Sequence, residues 1–129
     1  MIRLLTAVGL LAAAQILGPA NALAGPWEDG MAAYSRGDYV PAMQVFRAMA
    51  AQGNAKAQSV IGVMYRRGQG VAKSPARAFM WFSLASARGD SKAKAELQEM
   101  SSSMTPEELA RAHEMMQTCE ASDYRNCEY

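Results

Sequence analysis

Part of the chain repeats itself at a fixed spacing, and a repeat of this kind is compatible with few folds. When the sequence is shifted by 36 residues, identical residues coincide along two consecutive segments. The coinciding pairs include Ala42 and Ala78, Phe46 and Phe82, Ala51 and Ala87, Gly53 and Gly89, Lys56 and Lys92, Ala57 and Ala93, and Met64 and Met100. Tyr34 matches Tyr65 only at a shift of 31, which indicates a shorter loop after Tyr34. The sequence therefore predicts three similar units, stacked as in a solenoid.

The residues between the repeated segments predict helices as the building blocks. No segment after residue 25 alternates apolar and polar residues over the length of a strand. Gly53-Asn54 and Gly89-Asp90 each join a helix-ending glycine to an N-cap. Ser74-Pro75 and Thr105-Pro106 each join an N-cap to a proline in the first turn, and Asp38 is a further N-cap candidate. Six helices are predicted, near 27–36, 39–52, 54–67, 75–88, 91–101 and 106–118.

Apolar residues within the helices are spaced so that each unit must pack against a neighbour. In the fourth helix, the spacing i, i+3, i+4 and i+7 forms one apolar face and predicts Trp81 as a core residue. In the third helix, an apolar face is opposed by small residues, a pattern suited to packing on two sides. We therefore predict an all-α fold, an α/α solenoid of about three stacked helix hairpins with the last helix as a cap. An ordinary small helical bundle is the alternative.

One complete unit carries a specific family resemblance. The segment from Ala57 to Val71 contains an Ile-Gly-x-x-Tyr core and a Gly-x-Gly-Val loop, and Ala78, Trp81 and Gly89 follow it. This segment resembles the Sel-like repeat family of TPR-related α/α repeats, with isoleucine where the family usually has leucine. The resemblance implies a repeat domain over residues 25–129, with units near 27–53, 54–89 and 90–118. It also implies an adaptor or scaffold module that is not an enzyme.

The first two dozen residues differ from the rest of the chain and read as a secretory signal peptide. Arg3 precedes an almost wholly apolar run from Leu4 to Leu17, and Ala22-Leu23-Ala24 supplies small residues for a peptidase. We predict a signal peptide at residues 1–24 with cleavage after Ala24, and hence a periplasmic or secreted protein. An uncleaved membrane anchor is the alternative, but the apolar run is shorter than the roughly 20 residues that a spanning helix needs.

The charge balance argues against polyanionic partners. The chain has 13 lysines and arginines against 12 acidic residues. Arg3 is the only charge in the predicted signal peptide, so the rest of the chain is formally neutral. Without a basic cluster there is no electrostatic argument for nucleic acid or for an anionic membrane surface. We therefore expect no nucleic-acid binding and, after cleavage of the signal, no membrane insertion.

Two cysteines near the C-terminus are predicted to pair. An exported chain with Cys119 and Cys127 as its only cysteines usually holds one disulfide. A continuous helix would separate the two residues by about 12 Å, whereas a disulfide needs Cα atoms within about 7 Å. The last helix must therefore end near Cys119, and Ala121-Ser122-Asp123 is a plausible turn. Two free thiols are the alternative.

The leading functional hypothesis is the binding of another protein along the first helix of each pair. Lys56, Val63 and Arg67 fall on one line of the third helix and are expected to face solvent or a partner. Arg66 is a further candidate for an acidic partner, although a cation in the last turn also favours the helix dipole. We predict no catalytic, cofactor-binding or metal-binding residues.

A small exported enzyme or a ligand- or metal-binding protein is the second hypothesis. Ser91 and Lys94 match the Ser-x-x-Lys pattern of serine hydrolases, but the companion motifs of those enzymes are missing. His113 and Cys119 lie near Met115 and Met116, a composition that copper would accept. A helical core also uses methionine as a gap filler, so this composition has a simpler explanation.

Overall fold

The computed structural model describes residues 25–127, and over that range the protein is built from six α-helices. The helices are α1 (Pro26–Ser35), α2 (Tyr39–Ala51), α3 (Ala55–Arg67), α4 (Pro75–Ala87), α5 (Ser91–Ser101) and α6 (Pro106–Ala121). All six predicted helices are confirmed, and α6 extends three residues beyond its predicted end. The predicted signal peptide, residues 1–24, lies outside the described residues. None of the helices found between residues 25 and 127 has the length and apolar character needed to cross a membrane.

Side-chain caps begin four of the helices. The side chains of Asn54, Ser74, Asp90 and Thr105 each accept a hydrogen bond from the backbone N–H three residues on, at 2.8–3.2 Å. Thr105 and Glu108 also complete a reciprocal capping box. At the start of α2, Asp38 is the N-cap residue but makes no capping bond, because its carboxylate accepts from Arg36 Nε at 3.1 Å instead.

The helices stack as expected for a solenoid of helix hairpins. Each helix from α1 to α4 packs against the next one, and α4 packs against α5. Contacts also connect second-neighbour helices, since α6 lies against α4 and α5 touches α3. The α/α solenoid predicted from the repeat is confirmed. Trp81 is 3% exposed, as predicted for a core residue. Its neighbours in the core include Phe46, Ile61, Met64, Met80, Phe82 and Leu84.

A glycine in the first helix of each of two units lets an aromatic ring of the second helix approach closely. A Cβ atom at Gly62 would lie 2.7 Å from Cε1 of Phe82, and one at Gly30 would lie 2.8 Å from Cε1 of Phe46. Gly30 and Gly62 therefore serve the same purpose in the two units. At the ends of α1 and α3 the shift of 31 that pairs Tyr34 with Tyr65 holds, because the glycines three residues after each tyrosine have a positive φ and the same backbone hydrogen bond closes each helix.

The loop between α3 and α4 docks on the first hairpin. Oε1 of Gln69 accepts a hydrogen bond from the Tyr34 hydroxyl at 2.8 Å, and its Nε2 donates to the Tyr39 hydroxyl at 3.3 Å. The two tyrosine rings meet edge to face, with centroids 5.3 Å apart. Gly70 has a φ of +71°, and a Cβ there would lie 2.9 Å from the Cβ of Tyr39. This loop therefore fixes the first unit to the second through contacts that leave no room for a larger residue.

Candidate functional site

A cavity of about 350 Å³ lies where the first helices of the three pairs meet. It is lined by Trp27 and Met31 of α1, by Lys56, Ser59 and Val60 of α3, and by Asp90 and Lys92 at the start of α5. The lining residues recur at i and i+4 on α1, and at i, i+3 and i+4 on α3, so each helix presents one face to the cavity. The cavity exists only because three units stack side by side, and no single hairpin contains it.

The apolar part of the cavity is formed by Trp27, Met31 and Val60. All three side chains are half-buried and pack against the core. The indole of Trp27 is held by the ring of Phe46, with centroids 5.6 Å apart and planes tilted by 59°. A half-buried tryptophan in a fixed orientation is the kind of anchor that dominates the binding energy of protein interfaces.

The charged part consists of two lysines and one aspartate. Lys56 and Lys92 are exposed, and neither has an ion-pair or hydrogen-bond partner among residues 25–127. Asp90 is the N-cap of α5, and its Oδ2 accepts from the backbone N–H of Ala93 at 2.8 Å. The cavity therefore carries one net positive charge, and its two ammonium groups are available to a ligand.

Ser59 adds an unsatisfied hydroxyl to the wall of the cavity. The residue is 4% exposed, and its Oγ has no hydrogen-bond partner in the described part of the chain. Buried hydroxyl groups normally have partners, because leaving one unpaired costs about 1–3 kcal/mol. A ligand that enters the cavity would find both a donor and an acceptor here.

The three residues predicted to contact a partner occupy different environments. Lys56 is exposed and lines the cavity, whereas Arg67 is exposed at the end of α3 outside the cavity lining. Val63 is 7% exposed, so the expectation that it faces solvent is wrong. The reason is that α2, α4 and α5 all pack on α3, and they leave only a narrow arc of its surface open.

Arg66 already has an acidic partner within the chain. Its guanidinium forms an ion pair with the carboxylate of Glu96 on α5, and the two side chains are 29% and 14% exposed. A partly buried pair of this kind joins the first helices of the second and third units. Arg66 therefore holds the two units together, and we no longer expect it to contact an external acidic partner.

Of the seven residues that line the cavity, sequence reasoning predicted only Lys56 as a contact residue. Lys92 had a usable signal, since it is the partner of Lys56 at the shift of 36 residues. Trp27 and Met31 had none, because α1 lies outside the best-matching unit and its distance from α3 depends on how the units stack.

The residues of the alternative hypotheses lie in different environments, since Met115 and Cys119 are buried and Cys119 is held in a disulfide. Ser91 and Lys94 are exposed on α5, and His113 is exposed on α6 with its ring 5.8 Å from that of Phe79. Between residues 25 and 127 no three His, Cys, Asp or Glu residues are grouped so that they could hold a metal ion. Over the same range no carboxylate, lysine, arginine or histidine side chain is buried.

The C-terminal tail folds back on α6 and is closed by a disulfide. After α6 ends at Ala121, Asp123 and Tyr124 adopt left-handed conformations and reverse the chain. The Cα atoms of Cys119 and Cys127 lie 4.4 Å apart, and the two residues form a disulfide. The tail also places the ring of Tyr124 4.7 Å from the guanidinium carbon of Arg88. A disulfide of this kind is typical of proteins from oxidising compartments.

Comparison with known proteins places the central unit in a family. The Sel1 repeat family matches residues 55–90, which comprise α3, the loop that docks on Tyr34 and Tyr39, and α4. No curated protein matches the chain. Sel1 repeats are non-enzymatic scaffolds that generally mediate protein–protein interactions. Residues 55–90 of this set of helix hairpins therefore form a Sel1 repeat.

Proposed function

We propose that the protein is an exported adaptor or scaffold of the cell envelope that binds another protein along the face formed by α1, α3 and α5. The observation that carries this proposal is the cavity between those helices, which combines a half-buried tryptophan with two unpaired lysines. Interfaces of proteins are enriched in exposed aromatic and methionine side chains with a polar rim, and this cavity has both. Three repeat units, near 27–53, 54–89 and 90–118, each supply one wall.

The proposed contact surface continues along α3 beyond the cavity. Lys56 and Arg67 lie on the open arc of that helix, and we propose that both contact the partner. Replacing both with glutamate should abolish capture of the partner from an envelope extract while leaving the far-UV circular dichroism unchanged. The matched control is Lys73→Glu with Lys94→Glu, which changes the net charge equally at two exposed residues outside the cavity between α1, α3 and α5.

A photo-cross-linking residue locates the face directly. Val60→benzoylphenylalanine places the probe in the cavity, and Gln44→benzoylphenylalanine places it on the exposed side of α2. We expect the first variant to form a discrete cross-linked product in cells and the second to form none. Cross-linking from residue 44 alone would move the binding face to the second helices of the pairs. Turnover of a substrate that a single cavity substitution abolishes would favour an enzyme instead.

Export is a separate part of the proposal, and it rests on residues 1–24 and on the disulfide of the tail. The protein should appear in the periplasm or medium with an intact mass that corresponds to a chain beginning at Gly25 and lacking two hydrogen atoms at the cysteines. A mass that begins at Met1 would contradict cleavage after Ala24. Two alkylatable thiols in the exported protein would contradict the disulfide.

A further inference from the structure

We propose that the cavity between α1, α3 and α5 recognises an acidic segment of its partner, in which a carboxylate side chain stands next to a bulky apolar one. This inference rests on the proposed protein-binding function and specifies the chemistry of the partner.

The charges around the cavity favour a carboxylate. Lys56 and Lys92 are the second residues of α3 and α5, so each ammonium group lies beside a helix N-terminus. The positive ends of two helix dipoles therefore add to the two unpaired lysines. Asp90 is the one acidic residue in the lining, and its carboxylate is already engaged with the backbone N–H of Ala93. An incoming carboxylate would meet two cations and one partly compensated anion.

Ser59 provides an independent reason to expect a polar ligand atom in the cavity. Ser59 lines the cavity, and its hydroxyl is buried and lacks a partner among the described residues. Residues 56 and 59 are one helical turn apart and lie on the same face of α3. A carboxylate oxygen held near Lys56 would therefore also lie near Ser59. The hydroxyl would donate to that oxygen, so binding would remove the penalty of an unpaired buried group.

The size and apolar lining of the cavity define the second half of the motif. A volume of about 350 Å³ lies at the lower end of the range for ligand sites, so the cavity accommodates one or two side chains of a partner. Trp27, Met31 and Val60 offer an aromatic and aliphatic surface to one of them. The cavity has only two lysines and the chain is nearly neutral, so it lacks the extended basic surface that nucleic acid needs, and we therefore choose an acidic protein segment.

Labelled peptides of defined sequence test the inference. Four 12-residue fluorescein peptides share a Gly-Ser backbone and differ in their central pair, which is Glu-Phe, Gln-Phe, Lys-Phe or Glu-Ser. Anisotropy titrations of the full chain should show the tightest binding for Glu-Phe. Exposed charge pairs are weak, so Gln-Phe should bind roughly three- to tenfold more weakly than Glu-Phe. The difference should shrink between 50 and 500 mM salt, because salt screens exposed charges.

Charge reversal in the cavity provides the decisive comparison. Lys56→Glu with Lys92→Glu should invert the preference, so that Lys-Phe binds more tightly than Glu-Phe. The control Lys73→Glu with Lys94→Glu changes the net charge equally at exposed residues outside this cavity and should keep the original order. Ser59→Ala should weaken Glu-Phe binding while raising the midpoint of thermal unfolding, since it removes an unpaired hydroxyl.

Two outcomes would overturn the inference alone, and a third would overturn the proposed function with it. Equal binding of Glu-Phe and Gln-Phe, with loss of both on Val60→Asp, leaves protein binding at this face intact but refutes the acidic preference. If Lys56→Glu with Lys92→Glu and the control Lys73→Glu with Lys94→Glu alter the peptide preference equally, that preference arises from the net charge of the protein and not from this cavity. If no peptide binds and Val60→benzoylphenylalanine gives no cross-link in cells, the proposed function fails as well.

Discussion

The substitution Gly62→Ala sets two physical effects of opposite sign against each other. A Cβ atom at this position would lie 2.7 Å from Cε1, 2.8 Å from Cδ1 and 3.1 Å from Cγ of Phe82. Carbon atoms pack best at about 3.5–4.0 Å, so the ring or the helix must move. Phe82 is fully buried, and its ring is rigid and surrounded by core residues, so it has little room to retreat.

The magnitude follows from the difference between the two effects. Replacing an interior helical glycine with alanine favours the helix by about 1 kcal/mol. Overpacking a well-filled core costs about 1–3 kcal/mol, and three short contacts to a rigid ring place Gly62 in the upper half of that range. We therefore expect the free energy of unfolding to fall by about 1–2 kcal/mol, a large part of a total of roughly 5–15 kcal/mol.

Urea unfolding of the full chain, followed by far-UV circular dichroism, measures this change. Ala95→Gly is the matched control, because Ala95 is exposed within α5 and reports the helix propensity without a packing contact. Adding Phe82→Leu to Gly62→Ala should cost less than the sum of the two single changes, as expected for residues in contact. A Gly62→Ala variant more stable than the wild type would refute the close approach of α3 and α4.

Three further predictions concern the core, the loop and the tail. Trp81→Ala should lower the free energy of unfolding by about 3–5 kcal/mol, because it empties a core site; an unchanged thermal midpoint would contradict its burial. Gly70→Ala should cost at least about 2 kcal/mol, since alanine is strained at positive φ and its Cβ would press on the backbone of Tyr39; urea unfolding with unaltered stability would show that the loop docks differently. Loss of the Cys119–Cys127 disulfide should cost about 2–3 kcal/mol by the chain-entropy estimate for a short loop; hydrogen exchange should then increase in the last turns of α6 but not in α3.

The local part of the fold could be predicted from the sequence because its causes are local. Asn54, Ser74 and Thr105 are caps whose partners lie three residues away, so the helix boundaries follow from neighbouring residues alone. The burial of Trp81 follows from a periodicity within one helix. Asp38 is the exception among the predicted caps. Its carboxylate pairs with Arg36, a neighbour that the sequence rules for N-caps do not take into account.

Contacts between units could not be predicted, because they depend on the distance and angle at which hairpins stack. Val63 seemed free on a helical projection of α3, yet that projection contains no information on how many neighbours the helix has. The ion pair of Arg66 with Glu96 and the meeting of Lys56 with Trp27 arise in the same way. Each joins residues of different units, and the repeat spacing identifies the units without giving their relative orientation.

The loop at Gln69 connects the unit that matches the Sel1 repeat to the cavity formed by all three units. Residues 55–90 carry the Sel1 repeat, but the tryptophan of the cavity belongs to α1, which lies outside the match. Gln69 binds both Tyr34 at the end of α1 and Tyr39 at the start of α2, and thereby holds the first hairpin against the second. On the other side, the ion pair of Arg66 holds α5 against α3. The central unit, which carries the Sel1 repeat, therefore positions both outer walls, so we expect a change at Gln69 to alter the proposed binding without touching any residue of the cavity.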